Sequence, residues 1–171
     1  MRELSLDIAR IIKPHPDGVS LIGWSLGGLY AREVAKSLSA DVRQVITLGS
    51  PFADVSGSTN IGWLFELLSG GPIAVDEQFS AMLKTPPPVP TTSIYSRSDG
   101  VVGWQACVLD AGAHAENIEV DSSHLGLVWH PDVLRIVADR LAQRRRKWKP
   151  WKSPSAVDAA PKGGLASAAT T

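Results

Sequence analysis

Gly23-Trp24-Ser25-Leu26-Gly27-Gly28 decides how the rest of the chain is read. The apolar run Val19-Ser20-Leu21-Ile22 precedes it, and a helical pattern follows. A strand, a sharp turn with serine at its apex and then a helix is the context of a G-x-S-x-G nucleophile elbow. Such a turn holds its serine in a strained backbone conformation, and small neighbours make room for it. Gly23 and Gly27 are expected to supply that room, having no Cβ to clash. The helix then aims its free N–H groups and positive dipole end at the serine, where an oxyanion would develop.

Outward from the elbow, the pattern is that of alternating strands and helices. Before it, Leu4, Ile8, Ile11 and Ile12 fall at helical spacing, and Pro14 and Pro16 end that helix. The continuously apolar run 19–23 reads as a strand buried on both faces of a parallel sheet. Leu26, Tyr30, Val34 and Leu38 step by four and predict an apolar helix stripe. Residues 43–48 read as the next strand, closed by Gly49-Ser50-Pro51, which completes a βαβ unit. The stretch 52–90 is less regular, with helices expected around 62–69 and 76–83. A stiff connector, Thr85-Pro86-Pro87-Pro88-Val89-Pro90, ends it. Further strands are expected at 92–96 and 117–120. Val133, Leu134, Ile136, Val137 and Leu141 mark a last helix with Pro131 in its first turn.

The bulk numbers narrow the classes. At 171 residues, 44% hydrophobic and 20% charged, the chain suits one globular domain. No apolar run approaches the ~20 residues of a membrane span. Met1-Arg2-Glu3-Leu4-Ser5 shows no apolar signal region, so a cytoplasmic location is expected. The single Cys107 excludes an internal disulfide or a cysteine metal cluster and reads as a small buried hydrophobe; no metal or cofactor is expected. After Gln143 the tail holds seven of the 17 basic residues and one of the 17 acids. The body is therefore mildly acidic, which argues against nucleic acid as its partner. We expect a domain over 1–143 and a basic, disordered tail over 144–171. Trp148 and Trp151 among the tail's cations make it a candidate for contact with an anionic membrane surface, against the alternative of a solvated terminus.

A serine hydroxyl is a poor nucleophile without a base, and the base needs an orienting acid. In an open α/β sheet the site lies beyond the carboxyl ends of the strands, so the partners are sought there. Asp99, in Arg97-Ser98-Asp99-Gly100 after the third strand, is the candidate acid; Asp110 and Asp121 are placed less well. His124, in Asp121-Ser122-Ser123-His124 after the fourth strand, is the candidate base. His15 lies in a Pro-His-Pro break, His114 precedes its strand, and His130 before Pro131 suits a capping or surface role.

The order Ser25, Asp99, His124 is that of α/β-hydrolases. The segment Ile22-Gly23-Trp24-Ser25-Leu26-Gly27-Gly28-Leu29-Tyr30-Ala31-Arg32, with Val45-Ile46-Thr47-Leu48-Gly49-Ser50-Pro51-Phe52, resembles the lipase/esterase branch of that fold family. Tyr95-Ser96-Arg97-Ser98-Asp99-Gly100-Val101-Val102 and Ser123-His124-Leu125-Gly126-Leu127 resemble its acid and histidine segments. The resemblance covers about residues 4–143. It implies a mostly parallel sheet flanked by helices, with a helical cap inserted at about 52–90. It further implies attack of Ser25 on an ester carbonyl, proton transfer through His124 and orientation by Asp99. The Leu26 N–H would be an oxyanion donor, and Trp24, Trp63 and Phe65 would contact a small ester or lipid. Trp63, Leu64, Phe65, Leu67 and Leu68 serve equally well as packing between cap and body.

The family pattern begins earlier than this chain does. It has strands before the elbow strand, one followed by a His-Gly or Pro-Gly loop that gives the second oxyanion N–H. The expectation is an N-terminally incomplete hydrolase fold whose elbow strand has an open edge, covered by a partner or by self-association. Three functional readings follow: a carboxylic ester hydrolase, a non-catalytic binding or assembly module on the same fold, and an acyltransferase.

Overall fold

The computed structural model describes residues 2–12, 14–53, 77–144 and 147–153. Its elements are α1 (Arg2–Ile12), β1 (Val19–Trp24), α2 (Leu26–Ser37), β2 (Val42–Leu48), α3 (Glu77–Lys84), β3 (Thr91–Tyr95), β4 (Ala115–Glu119) and α4 (Pro131–Ala142). Two short 3₁₀ turns, Trp104–Cys107 and Gly126–Val128, follow β3 and β4. The four strands form one parallel sheet in the order β1-β2-β3-β4. Its carboxyl ends therefore share one rim: Ser25 and Leu26 follow β1, Asp99 follows β3 and His124 follows β4.

Helices cover both faces. Ile12 of α1 packs with Ala31 and Ala35 of α2 and with Val42 and Val45 of β2. Ile46 and Leu48 of β2, Ile94 of β3 and Val133 and Ile136 of α4 form a second cluster. A third gathers near the rim, where Leu26 and Leu29 of α2 meet Phe52, Leu83, Ala106 and Leu109.

The β1 expectation needs correction. Only Gly23 of that strand is buried, and Ile22 is 45% exposed, although its register partner Ile46 is fully buried. β1 is an edge strand, paired with β2 alone among the described residues. The edge itself is as the resemblance implied.

The helix stripes shift slightly. Tyr30 is exposed, and α2 instead buries Leu26, Leu29, Val34 and a small-residue face at Gly28, Ala31 and Ala35. In α1, Ile12 is buried while Ile11 is exposed. Helix α3 stands where 76–83 was expected; the helix expected at 62–69, with Trp63 and Phe65, lies outside the described residues.

Residues 147–153 of the tail make contacts with the body. Trp151 donates its backbone N–H to Glu116 Oε2 at 2.6 Å, and it packs against the core cluster of β2, β3 and α4. The Lys149 carbonyl accepts from Arg140 Nη1 at 2.6 Å and from Gln143 Nε2 at 2.9 Å. The Trp148 ring meets His114 edge-on, with centroids 5.9 Å apart. Both tryptophans offered for membrane contact are thus engaged by the body.

Candidate active site

Ser25 sits between β1 and α2 with φ 53° and ψ −127°, the one positive-φ residue other than glycine among those described. An L-residue is forced into this region only where its surroundings over-determine it. Two constraints do so here. The Ser25 N–H donates to Leu48 O at 2.8 Å, which carries the β1–β2 ladder through the turn. Behind it, the chain doubles back so tightly that a Cβ on Gly23 would stand 2.3 Å from Gly27 O.

The expected role of Gly27 is corrected: a Cβ there meets nothing within 4 Å. The second obligatory glycine is Gly28, where a Cβ would fall 1.9 Å from Ser50 Oγ. Gly23 lets the strand cross the helix start, and Gly28 lets the helix sit on the loop after β2.

Asp99 and His124 meet. His124 Nδ1 lies 2.7 Å from Asp99 Oδ2, and the two side chains are 9% and 2% exposed. An ionised carboxylate only accepts, so the proton between them sits on Nδ1 and leaves Nε2 free to accept one. Burial pushes the Asp99 carboxyl up. The His124 bond, with N–H donation from Val102 and Val101 to Oδ1 at 2.9 and 2.8 Å, outweighs it and holds Asp99 below its ordinary value. Asp99 is therefore an anion fixed at both oxygens.

This pair stands against the serine turn. Trp24, the residue before Ser25, donates its indole N–H to His124 O at 3.0 Å, and the two rings are 5.2 Å apart. Gly49, with φ 54°, forms the floor: a Cβ there would lie 3.1 Å from Asp99 Oδ2 and 3.2 Å from His124 Nδ1. Gly49 follows Leu48, which holds the Ser25 N–H, so both halves of the site rest on the end of β2. Ser25 and His124 are 6% and 8% exposed. No hydrogen bond joins the Ser25 and His124 side chains in this structure.

The rivals fall elsewhere. His130 accepts from the Asp132 N–H at 3.2 Å and caps α4, the capping role expected of it. Asp121 accepts from Ser98 Oγ at 2.6 Å on the surface. Cys107 is buried, and burial, with the nearby Asp99 charge, pushes its thiol up and away from a reactive thiolate.

Sequence reading passed over Gly49, Ser50 and Ser96. In the sequence Gly49 stands in the turn that closes a strand and within the segment that carries the resemblance, and neither marks it as the floor of a site. Trp24, expected as a substrate contact, braces the His124 backbone through its indole N–H.

No protein-family model and no curated protein matches the chain. Solved structures do. Lipase B of Aspergillus fumigatus aligns with a TM-score of 0.63 at 21% identity, covering 85% of this chain and 41% of that one. The monoacylglycerol lipase of Paleococcus ferrophilus aligns at 0.59 and 12% identity, covering 81% and 73%. An alpha/beta superfamily hydrolase of Oenococcus oeni PSU-1 aligns at 0.56 and 16%, covering 80% and 69%.

The chain thus has the α/β-hydrolase fold, in the form of a four-stranded part of it flanked by helices. It spans about two-fifths of the length of the Aspergillus lipase.

Among the described residues, no helix is long and apolar enough to cross a membrane.

Proposed function

We propose that this chain carries the machinery of a serine hydrolase acting on carboxylic esters, lipid esters included. The observation that carries the reading is the buried Asp99–His124 pair at 2.7 Å, set against a positive-φ serine turn. Ser25 Oγ attacks the ester carbonyl carbon, and its proton passes to His124 Nε2. Asp99 holds the imidazole in the required tautomer and stabilises the imidazolium that forms. The oxyanion develops at the start of α2, where the Leu26 N–H would receive it. As the tetrahedral centre collapses, the ester C–O bond breaks and His124 returns the proton to the departing alcohol. Water, activated by the same imidazole, then releases the acid from Ser25. Transfer of the acyl group to another alcohol or amine uses the same steps with water excluded. Trp24 borders the site, and Trp63 and Phe65 remain proposed acyl contacts outside the described residues.

The test is hydrolysis of p-nitrophenyl esters of increasing acyl length by this chain and by its Ser25→Ala variant. Turnover that vanishes with Ser25 supports the reading. Equal rates in both proteins contradict it and leave a binding or assembly module on a hydrolase fold.

A further inference from the structure

Ser96 is the first residue beyond β3 and is 1% exposed. Its Oγ accepts two backbone N–H groups. One belongs to Ser98 at 3.0 Å, in the loop that carries Asp99. The other belongs to Ser122 at 3.1 Å, in the loop that carries His124. A hydroxyl oxygen has two acceptor sites, and both are filled here.

The position explains the arrangement. The β3–β4 ladder runs through Tyr95 paired with Glu119, and the Val120 N–H still reaches Tyr95 O at 2.9 Å. Beyond that point the two chains part into their loops. The Ser96 hydroxyl takes the place of the next ladder acceptor and adds a turn within its own loop. It joins the acid loop and the base loop through one atom. On the surface Ser98 Oγ and Asp121 Oδ1 repeat the tie at 2.6 Å, in solvent where such a bond contributes less.

We infer that Ser96 is a positioning residue for the Asp99–His124 pair: its buried hydroxyl sets the spacing of the two loops and so the bond between acid and base. The inference rests on the reading of those two residues given above. Ser96 touches neither substrate nor the reacting atoms; it acts through the two loops. Removal of the hydroxyl takes away the acceptor shared by these two N–H groups and frees the loops to separate. A misplacement of about 1 Å at a catalytic group costs about 10²-fold in rate.

The experiment compares Ser96→Ala, Ser96→Thr and Ser98→Ala in the full chain. The readouts are the downfield proton resonance of the Nδ1–H bond to carboxylate, and kcat and KM for a p-nitrophenyl ester. Ser96→Ala is expected to lose the resonance and to lower kcat about 10²-fold with KM little changed. Ser96→Thr, which keeps the hydroxyl, is expected to restore both, and Ser98→Ala to change neither. If Ser96→Ala does not fold, Ser96→Cys keeps the volume with a weak acceptor and carries the same comparison. A sharp resonance retained in the variant without an oxygen acceptor at 96 overturns the inference and leaves the proposed function standing. A parent chain that shows the resonance but never turns over ester sinks the function and leaves the resonance to judge Ser96.

Discussion

The two halves of the site are built by different physics. The serine turn is fixed by backbone and sterics. A strained φ at Ser25, a strand-ladder bond to Leu48 and the crossing at Gly23 hold it, and no side-chain hydrogen bond caps the helix there. The acid–base pair is fixed by polar contacts. Two N–H groups hold one Asp99 oxygen, His124 takes the other, and Ser96 spans the loops. The first half sits on an exposed edge strand and the second on β3 and β4. A nucleophile needs one rigid direction, which sterics give cheaply. The proton relay proposed for the pair needs charge and tautomer control, which its hydrogen bonds supply.

The variants that separate the halves begin with the chemical groups themselves. Ser25→Ala should abolish ester turnover, a loss of roughly 10⁶-fold by comparison with serine protease triads. Asp99→Asn should lower kcat about 10⁴-fold by presenting the wrong tautomer. Both rates are measured on protein whose circular dichroism matches the parent.

The next contrast is steric and belongs to the turn alone. Gly23→Ala drives a methyl into the Gly27 carbonyl and should cost ~3 kcal/mol or more in urea unfolding. Gly27→Ala meets open space and should be neutral or stabilise α2 by up to ~1 kcal/mol. Equal costs for the two would show that the crossing at Gly23 is not what shapes the turn.

Ser25→Gly should raise stability by about 1 kcal/mol while turnover is lost, because glycine relieves the positive φ. For a chain of this length that is a rise of ~2–4 °C in Tm. No such gain is expected from Asp99→Asn.

The smallest effect is in acid and belongs to the pair. Asp99 is held below its ordinary value in the folded state, so its contribution is fully present above about 3.9 and is lost as pH falls through the folded value. The difference in Tm between the parent and Asp99→Asn should therefore be constant from neutrality to about pH 4 and shrink below it.

Much of this was legible in the residues because its causes are local. The apolar runs gave the strands, and the strand–turn–helix order gave Ser25. The rule that sites follow strand ends pointed to Asp99 and His124, two side chains that the structure brings together. What escaped depends on neighbours across the sheet. The exposure of Ile22 follows from β1 having a partner on one side only, and its sequence is as apolar as that of β2. Gly49 and Gly28 looked like any turn or helix glycine until the Asp99–His124 pair and Ser50 were seen against them. Residues 147–153 have no periodicity, yet Glu116, far back in the chain, anchors the Trp151 backbone.

The central claim is that one imidazole makes the Ser25 hydroxyl reactive. The direct measurement is fluorophosphonate labelling followed by mass spectrometry of the peptide containing Ser25, in the parent and in His124→Ala. The account predicts rapid, single-site labelling of the parent at Ser25 and a fall of at least about 10³-fold in the variant. A parent that resists the probe, or a variant labelled as fast as the parent, would contradict it.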